Sequence, residues 1–273
     1  MMPAPTTATT EPRSTAARWA AVRFAMVKVP EITAVFWIIK VLTTGMGEAT
    51  SDFLVHRLPP PVAVLIGLAA LVAALWWQLT TTRYGAVPYW LAVVMVAVFG
   101  TMAADVLHIG LHIPYVASTA FFAVSLAVVF IVWHRVEGTV SIHSISTRRR
   151  ELFYWTAVMT TFALGTAAGD MSARTLNLGY FASGVAFAAL IAVPLVGWRF
   201  FGLNPIVAFW FAYIVTRPLG ASFADWMGVP HALGGLDWGR GNVSIGLTIP
   251  IVILVAALAV TRLDVQAEDA ASA

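Results

Sequence analysis

Four aspartates recur along the chain in one local sequence, and carboxylates inside apolar sequence are its best candidates for chemistry. Each aspartate follows a glycine by five residues, in GEATSD, GTMAAD, GTAAGD and GASFAD. The aspartates are Asp52, Asp105, Asp170 and Asp225, and the glycines are Gly47, Gly100, Gly165 and Gly220. An acid within a membrane span is costly and is by default a functional residue. The pattern therefore predicts a site for a cation or a proton.

Further donor side chains lie close to these aspartates. Glu48 precedes Asp52 by four residues, so the two carboxylates share a helix face and repel unless a proton or cation lies between them. His56, His108 and His231 each follow a repeat aspartate. Mixed oxygen and nitrogen donors suit Mn, Fe, Co, Ni or Zn, and the lack of cysteine excludes thiolate ligands. We expect the acids to bind the ion and the histidines to be auxiliary ligands.

Two basic residues fall inside apolar stretches. Arg217 requires an acidic partner from another repeat, and we expect it to act as a counter-charge that replaces the ion when the site is vacant. Lys40, the second counter-charge, is nearer one end of its stretch and is expected to snorkel to the surface. Pro218 predicts a hinge or a half-helix. Arg174 is placed to neutralise Asp170, so the third copy is expected to be structural.

The elements that carry these residues follow from composition. Of 273 residues, 60% are hydrophobic and 11% are charged, far fewer charges than in soluble domains. About 20 apolar residues span a bilayer as a helix. The sequence predicts an all-α polytopic membrane protein with eight spans, at 32–54, 61–80, 86–108, 113–133, 152–173, 178–198, 205–227 and 244–262.

Basic residues predict the orientation of these spans, because Lys and Arg are enriched on the cytoplasmic side. Eleven flank the spans on one side and three on the other, which places both termini in the cytoplasm. The eleven are Arg13, Arg18, Arg23, Lys28, Arg83, Arg135, Arg148, Arg149, Arg150, Arg199 and Arg262, and the three are Arg57, Arg174 and Arg240. The N-terminal residues lack the pattern of a cleaved signal peptide.

A tryptophan stands fifteen residues before each repeat aspartate, at Trp37, Trp90, Trp155 and Trp210. Fifteen helical residues rise roughly 22 Å, so tryptophan and aspartate belong to opposite ends of one span. With these elements, and with KVPEITAVFWIIKVLTTGMGEATSD as the longest such stretch, the chain resembles a bacterial family of uncharacterised membrane proteins built from four tandem two-helix repeats. The resemblance implies this architecture and the bacterial inner membrane, and it implies no activity.

The repeats divide the chain into five segments. Residues 1–30 form a cytoplasmic tail, in which Ala16 to Lys28 is expected to be a basic amphipathic helix on the inner leaflet. Repeats 1 and 2 occupy 31–135, a cytoplasmic linker occupies 136–150, repeats 3 and 4 occupy 151–263, and 264–273 form a second tail. The sequence does not determine the oligomeric state.

Each motif also has a structural interpretation. The tryptophans fit an interfacial belt, or packing between repeats, and the glycines fit close helix packing. The histidines could lie in outer loops, and the aspartates could cap helix ends. We identify no catalytic motif, no resident cofactor beyond a bound divalent metal, and no nucleic-acid patch.

The function predicted first is a transporter or channel-like permease for a small cation, a divalent transition metal above others. The alternatives are a non-transporting scaffold or sensor whose polar residues only pair helices, a proton-coupled solute transporter, and a binder of an apolar ligand. A transporter predicts a polar cavity that reaches the aspartates, whereas a scaffold predicts dry, fully paired contacts.

Overall fold

The computed structural model describes residues 27–265, so most of the expected amphipathic segment at 16–28 and most of the C-terminal tail lie outside the described residues. Within them the chain forms eight α-helices. These are α1 Ala34–Arg57, α2 Pro60–Thr80, α3 Ala86–Asp105, α4 Tyr115–Glu137, α5 Arg148–Asp170, α6 Gly179–Phe201, α7 Pro205–Gly228 and α8 Arg240–Thr261. The eight predicted helices are confirmed, with bounds that differ by at most five residues.

The four odd-numbered helices close into a ring. The helix α1 packs on α3, α3 on α5, α5 on α7, and α7 returns to α1. Each even-numbered helix lies outside and packs on the odd helix of the following repeat, so α2 lies on α3, α4 on α5, α6 on α7 and α8 on α1. The contact between the last helix and the first therefore completes a cyclic arrangement of four repeats.

The repeat glycines explain how closely the inner helices approach. A Cβ on Gly100 would lie 2.7 Å from Cβ of Phe162, and one on Gly220 would lie 2.9 Å from Cβ of Thr44. Gly47 and Gly165 face Ala97 and Arg217 in the same way. Each repeat glycine thus contacts, on the next inner helix, the residue that stands three positions before the glycine of that helix. Only a residue without a side chain fits at the glycine position.

The outer helices have the composition of lipid-facing spans. Six helices, α2, α3, α4, α6, α7 and α8, are long and apolar enough to cross a membrane. The most apolar windows of α2, α4, α6 and α8 are only 17–28% buried within the chain, whereas those of α3 and α7 are 56% and 61% buried. The helices α1 and α5 are equally long but carry more charged residues: Lys40, Glu48, Asp52 and Arg57 on α1, and three arginines with Glu151 at the start of α5.

The two ends of the ring differ, and we name them by their repeat residues: the aromatic end carries the tryptophans and the aspartate end carries the aspartates. The segment before α1 crosses the aromatic end. Lys28 forms a buried ion pair of 2.7 Å with Glu151, and Gln78 donates to the same carboxylate at 3.1 Å. Tyr84 donates to Asp264 just after α8, and burial raises the pKa of both groups. The chain segments beside the first and last helices therefore close this end.

Candidate functional site

The repeat register orders the ring interior into layers, and each layer is named here by its distance in sequence from the repeat aspartate. Sixteen residues before it lies a second aromatic residue: Phe36, Tyr89, Tyr154 and Phe209. Each contacts the tryptophan of the following repeat. The ring centroids are 5.5 Å apart for Phe36 and Trp90, 5.6 Å for Tyr89 and Trp155, 6.2 Å for Tyr154 and Trp210, and 5.7 Å for Phe209 and Trp37.

This aromatic layer decides between the two interpretations of the tryptophans. Trp90 is 1% exposed and Trp155 and Trp210 are 5% exposed, so the interfacial-belt interpretation is wrong for these three. A belt requires rings at the lipid surface, whereas these rings lie between the inner helices. Among residues 27–265 the exposed tryptophans are Trp76, Trp77, Trp198 and Trp238, and none of them is a repeat tryptophan. The aromatic layer fills the ring at this end.

Arg217 stands eight residues before its repeat aspartate and lies in the interior of the ring. Its side chain is fully buried and donates to Glu48 at 2.6 Å, to Thr166 at 2.7 Å, to Thr101, and to the carbonyl oxygen of Thr44 at 2.8 Å. Its ion-pair partner is thus an acid of a neighbouring repeat, as the cost of an unpaired buried arginine requires.

The partners of Arg217 are equivalent positions of the other three repeats. Glu48, Thr101 and Thr166 each stand four residues before a repeat aspartate, and the fourth copy has the small Ala221 there. The Thr101 hydroxyl also donates to Glu48 at 3.1 Å. We call Glu48, Thr101 and Thr166 the oxygen layer. Because the guanidinium reaches all three, it lies on the pseudo-fourfold axis and closes it.

Lys40 is buried one layer nearer the aromatic end. Its amine lies 4.1 Å from the ring centres of both Phe162 and Tyr213, and it has no hydrogen-bond partner among residues 27–265. The side chain is 1% exposed, so the expectation that it snorkels to the surface is wrong. Its helix face points into the ring, and the apolar stem follows the packed interior.

Pro218 does not divide its helix. The helix α7 runs without interruption through Pro218 to Gly228, so the predicted half-helix is not formed. Proline removes one backbone hydrogen bond, but the residue is buried against Gly169 of α5, and packing holds the helix continuous.

Asp52 pairs with Arg240, a residue that the sequence indicated only as a signal of membrane orientation. Arg240, at the start of α8, donates to the Asp52 carboxylate at 2.6 Å. His56 donates from Nδ1 to the Asp52 carbonyl oxygen at 2.7 Å, which leaves Nε2 to face Arg240 at 3.5 Å. The nitrogen that would bind a metal is therefore engaged by a guanidinium. The charges of Glu48 and Asp52 are balanced by two arginines.

His231 is not brought to the acids. It lies on an exposed 3-10 turn, His231–Leu233, and has no carboxylate within ion-pair distance in the described part of the chain. Asp225 lies on the inner helix α7, and its carboxylate likewise has neither a hydrogen-bond nor an ion-pair partner within residues 27–265. It occupies the repeat-aspartate position at the aspartate end of the ring, and we call Asp52, Asp105, Asp170 and Asp225 the acidic layer.

The second and third repeats together form the one group of candidate metal ligands found among the described residues. His108 Nε2 lies 3.0 Å from Asp105 Oδ1 and 3.5 Å from Asp170 Oδ2, and the three ligand atoms lie within 4.8 Å of one another. Ligand atoms around a tetrahedral ion with bonds near 2.0 Å lie roughly 3.3 Å apart. The two separations from His108 Nε2, 3.0 and 3.5 Å, are close to this value.

Two π-helical turns position this cluster. The helix α3 passes from Asp105 into the π turn Val106–Gly110, which carries His108, and α5 passes from Asp170 into Met171–Thr175, which carries Arg174. The other two inner helices end without a π turn. A π turn widens the backbone and commonly marks a functional site. Asp170, one of the acids expected to bind the ion although its copy was expected to be structural, is thus part of the candidate metal cluster.

The surroundings of His108 show which ring nitrogen faces the two carboxylates. Ser118 lies 3.5 Å from Nδ1 and donates its own hydroxyl proton to the carbonyl oxygen of Tyr115 at 3.1 Å. Because a carboxylate only accepts, Nε2 donates the hydrogen bond of 3.0 Å to Asp105 Oδ1. A metal ion at this place would replace that proton, and His108 would then carry its proton on Nδ1. Arg174 neutralises part of the charge, at 3.4 Å from Asp170, but its side chain is 45% exposed.

Three features of the site were missed in the sequence. The aromatic residue that precedes each repeat tryptophan is visible as FW, YW, YW and FW, and it could have been found by aligning the four copies. The oxygen layer is visible in the same alignment. The Asp52–Arg240 pair has no local signal, because it joins residues 188 positions apart.

The architecture and site together define a helical ring of four repeats with an axis closed by charge pairs and an acidic layer at one end. A family model described as "Repeat of Unknown Function (DUF347)" matches residues 35–84, 88–139, 153–203 and 208–264, and each match corresponds to one inner helix with its outer helix. The chain belongs to this repeat family. No curated protein and no solved structure matched the chain.

Proposed function

We propose that this protein is a membrane permease for a divalent transition-metal ion, which binds first to Asp105, His108 and Asp170 at the aspartate end of the ring. The observation that carries the proposal is the convergence of two carboxylate oxygens and one imidazole nitrogen within 4.8 Å. Two oxygen ligands and one nitrogen ligand favour a transition metal over an alkali ion. Aquo or carbonyl oxygens would complete its coordination.

The excess of basic residues near the aromatic end supports an orientation with the aspartate end facing outward and both termini in the cytoplasm. We place the protein in the bacterial inner membrane, where the metal site would be the entry site. The proposed role is transport rather than enzymatic catalysis.

The path beyond the entry site leads to the oxygen layer. Glu48, Thr101 and Thr166 offer oxygen atoms of the kind that bind cations, and Arg217 covers all three. Passage of a metal ion would therefore require Arg217 to leave these oxygens. Arg217 is a surrogate cation in the closed conformation, in which the axis is dry.

Metal binding tests the proposal directly. We expect detergent-purified protein to bind at least one of Mn, Zn, Ni and Co more tightly than Ca by calorimetry. Asp105→Asn, Asp170→Asn and His108→Gln should each weaken binding by at least about 10–100-fold, the loss that follows when only a hydrogen-bond partner of a metal ligand is removed. Asp52→Asn and Asp225→Asn are matched controls, because they change the same repeat position and should leave affinity within a few-fold of wild type.

Transport is a separate measurement. Proteoliposomes that contain a metal-sensitive dye should show uptake of the metal that binds, and Asp105→Asn should abolish it at low metal concentration. If no metal binds, or if binding persists in all three ligand variants, the cluster is a histidine–aspartate ion pair and the metal assignment is wrong.

The second candidate is a non-transporting membrane scaffold or sensor. Its specific support is the dry axis, since Arg217 is 0%, Lys40 1% and Glu48 4% exposed. A polar groove of about 390 Å³ lies between the end of α1 and the start of α8, and it does not include the residues of the axis. Metal binding without uptake into proteoliposomes would favour a sensor.

A further inference from the structure

Lys40 is a second basic side chain inside the ring, and it has no acidic partner of its own. Its amine has no acceptor in residues 27–265, and it shares the ring of Phe162 with Arg217, whose guanidinium carbon lies 5.3 Å from that ring centre. The carboxylate of Glu48 already accepts from Arg217. The interior therefore contains two basic side chains and one acid.

The groups around Lys40 offer no second negative charge. On its own helix the nearest acid is Glu48, two turns away; α7 contributes Arg217 and Tyr213, α5 contributes Tyr154, and α3 contributes Tyr89. The outer helix α8, which packs on α1, has no ionisable residue between Gly241 and Thr261. A buried charge without a partner is so costly that the group normally becomes neutral.

The same surroundings can also hold the protonated amine. Two aromatic faces at 4.1 Å stabilise an ammonium group by cation–π attraction. When Arg217 leaves, Glu48 becomes an unpaired carboxylate two turns from Lys40, and its negative charge favours a cation nearby. The site thus accommodates both forms, and the position of Arg217 selects between them.

We propose that Lys40 is a proton-exchange site whose amine is neutral while Arg217 lies on Glu48 and gains one proton when Glu48 loses that partner. The lone pair of the amine forms a new N–H bond with a proton delivered by water. The reverse step returns the proton to water when Arg217 comes back. The role of Lys40 in coupling transport rests on the proposed function, in which Arg217 must move. The exchange of a proton at Lys40 does not rest on it.

Tyrosine hydroxyls line the way from Lys40 to the aromatic end. The hydroxyls of Tyr89 and Tyr154 lie 2.5 Å apart, and both rings are 1% exposed. Tyr213 contacts Lys40 through its ring, and its own hydroxyl has no hydrogen-bond partner among residues 27–265. Tyr84 and Asp264 continue this row towards the end of the ring. Hydroxyl groups both donate and accept protons, so this row suits proton exchange with the cytoplasmic side.

The chain offers a sharp test, because Lys28 and Lys40 are its only lysines. Protein labelled with 15N-lysine should give two side-chain signals in nuclear magnetic resonance, and the shift of each separates ammonium from amine. The variant Lys40→Val assigns the signals. It is conservative, because Val93 and Val158 occupy this position in repeats 2 and 3.

In the wild type at about pH 8, below the ordinary pKa of lysine, we expect the Lys40 signal of an amine and the Lys28 signal of an ammonium, which Glu151 pairs. Lowering the pH should convert the Lys40 signal reversibly. In Arg217→Ala, which introduces the residue of the second copy, Lys40 should be ammonium at the same pH. In Arg217→Ala with Glu48→Thr it should be amine again.

If the wild-type Lys40 signal is that of an ammonium group at about pH 8 and at every lower pH, the proposal is overturned, whether or not the variants fold. An amine signal that is unchanged in folded Arg217→Ala would overturn the role of Arg217. Metal calorimetry with Lys40→Val should give wild-type affinity. Loss of metal binding in the wild type would therefore overturn the proposed function without changing the lysine result.

Discussion

At the scale of single residues, Arg217 and Glu48 form the central interaction of the ring. The guanidinium is fully buried and contacts three other repeats, so one side chain replaces the fourfold set of equal contacts that identical repeats would make. The other arginines of the site, Arg174 and Arg240, are partly exposed and each balances a single aspartate. Charge balance in this protein is therefore local and asymmetric, although the fold is cyclic.

We expect Glu48→Gln to destabilise the protein by about 3–5 kcal/mol, because it leaves a buried arginine without its carboxylate. The double variant Arg217→Ala with Glu48→Thr removes both charges and should recover much of this loss. Thermal or denaturant unfolding in detergent measures both. Asp237→Asn, which changes an exposed loop carboxyl, is the control. A single variant as stable as wild type would contradict the pairing.

At the scale of the elements, the repeat glycines set the distance between inner helices, and the π turns set the difference between repeats. Glycine spacing is common to all four copies, so it supports the pseudo-symmetry of the ring. The π turns follow only Asp105 and Asp170, so they bring one histidine and two aspartates together at a single interface. A common scaffold thus carries one specialised site.

Gly220→Ala should destabilise the protein by about 1–3 kcal/mol, because the added methyl group would overlap Gly45 and Thr44 of α1. The matched control is Gly246→Ala on α8, where a Cβ would meet nothing within 4 Å. That change should be neutral or stabilise the helix by up to about 1 kcal/mol. Unfolding of both variants in the same detergent decides the matter. Equal effects would argue against tight packing of α7 on α1.

The sequence was informative where a signal is local and less so where it depends on facing helices. The aspartates, glycines and tryptophans were all found, and the helix bounds follow from hydropathy. The sequence left open whether Trp90 lies at the lipid surface or between repeats, and it did not predict the burial of Lys40, because an inner and an outer helix face look alike when both are apolar. The roles of His56 and His231 depended on which helix lies opposite, and no pattern within one repeat contains that information.

At the scale of the whole molecule, the packing of α8 on α1 closes the ring. The hydroxyls of Thr50 and Ser244 lie 2.6 Å apart across this contact, although they are 194 residues apart in sequence. Arg240 of α8 and Asp52 of α1 form an ion pair where this contact reaches the aspartate end. Closure places every inner helix between two others, so the polar layers are enclosed on all sides.

We expect Thr50→Cys with Ser244→Cys to form a disulfide on mild oxidation, because the two side chains meet. The natural chain has no cysteine, so this would be its only disulfide. With a protease site inserted in the linker at 136–150, the cut halves should stay joined on a non-reducing gel. Thr50→Cys with Ile245→Cys is the control, since Ile245 is 63% exposed and faces away. Halves that separate in both variants would exclude ring closure.

The sequence by itself determined the helical membrane class, the four repeats and the position of the four aspartates towards one end of their helices, because hydropathy and residue spacing along one helix fix these properties. Only the tertiary structure decided that the repeats close on themselves, that Arg217 occupies the axis, and that Asp105, His108 and Asp170 converge while Asp52 pairs with Arg240. The physical reason is that burial, ion pairing and ligand geometry depend on distances between helices, which repeated sequence constrains equally in every copy and therefore cannot distinguish.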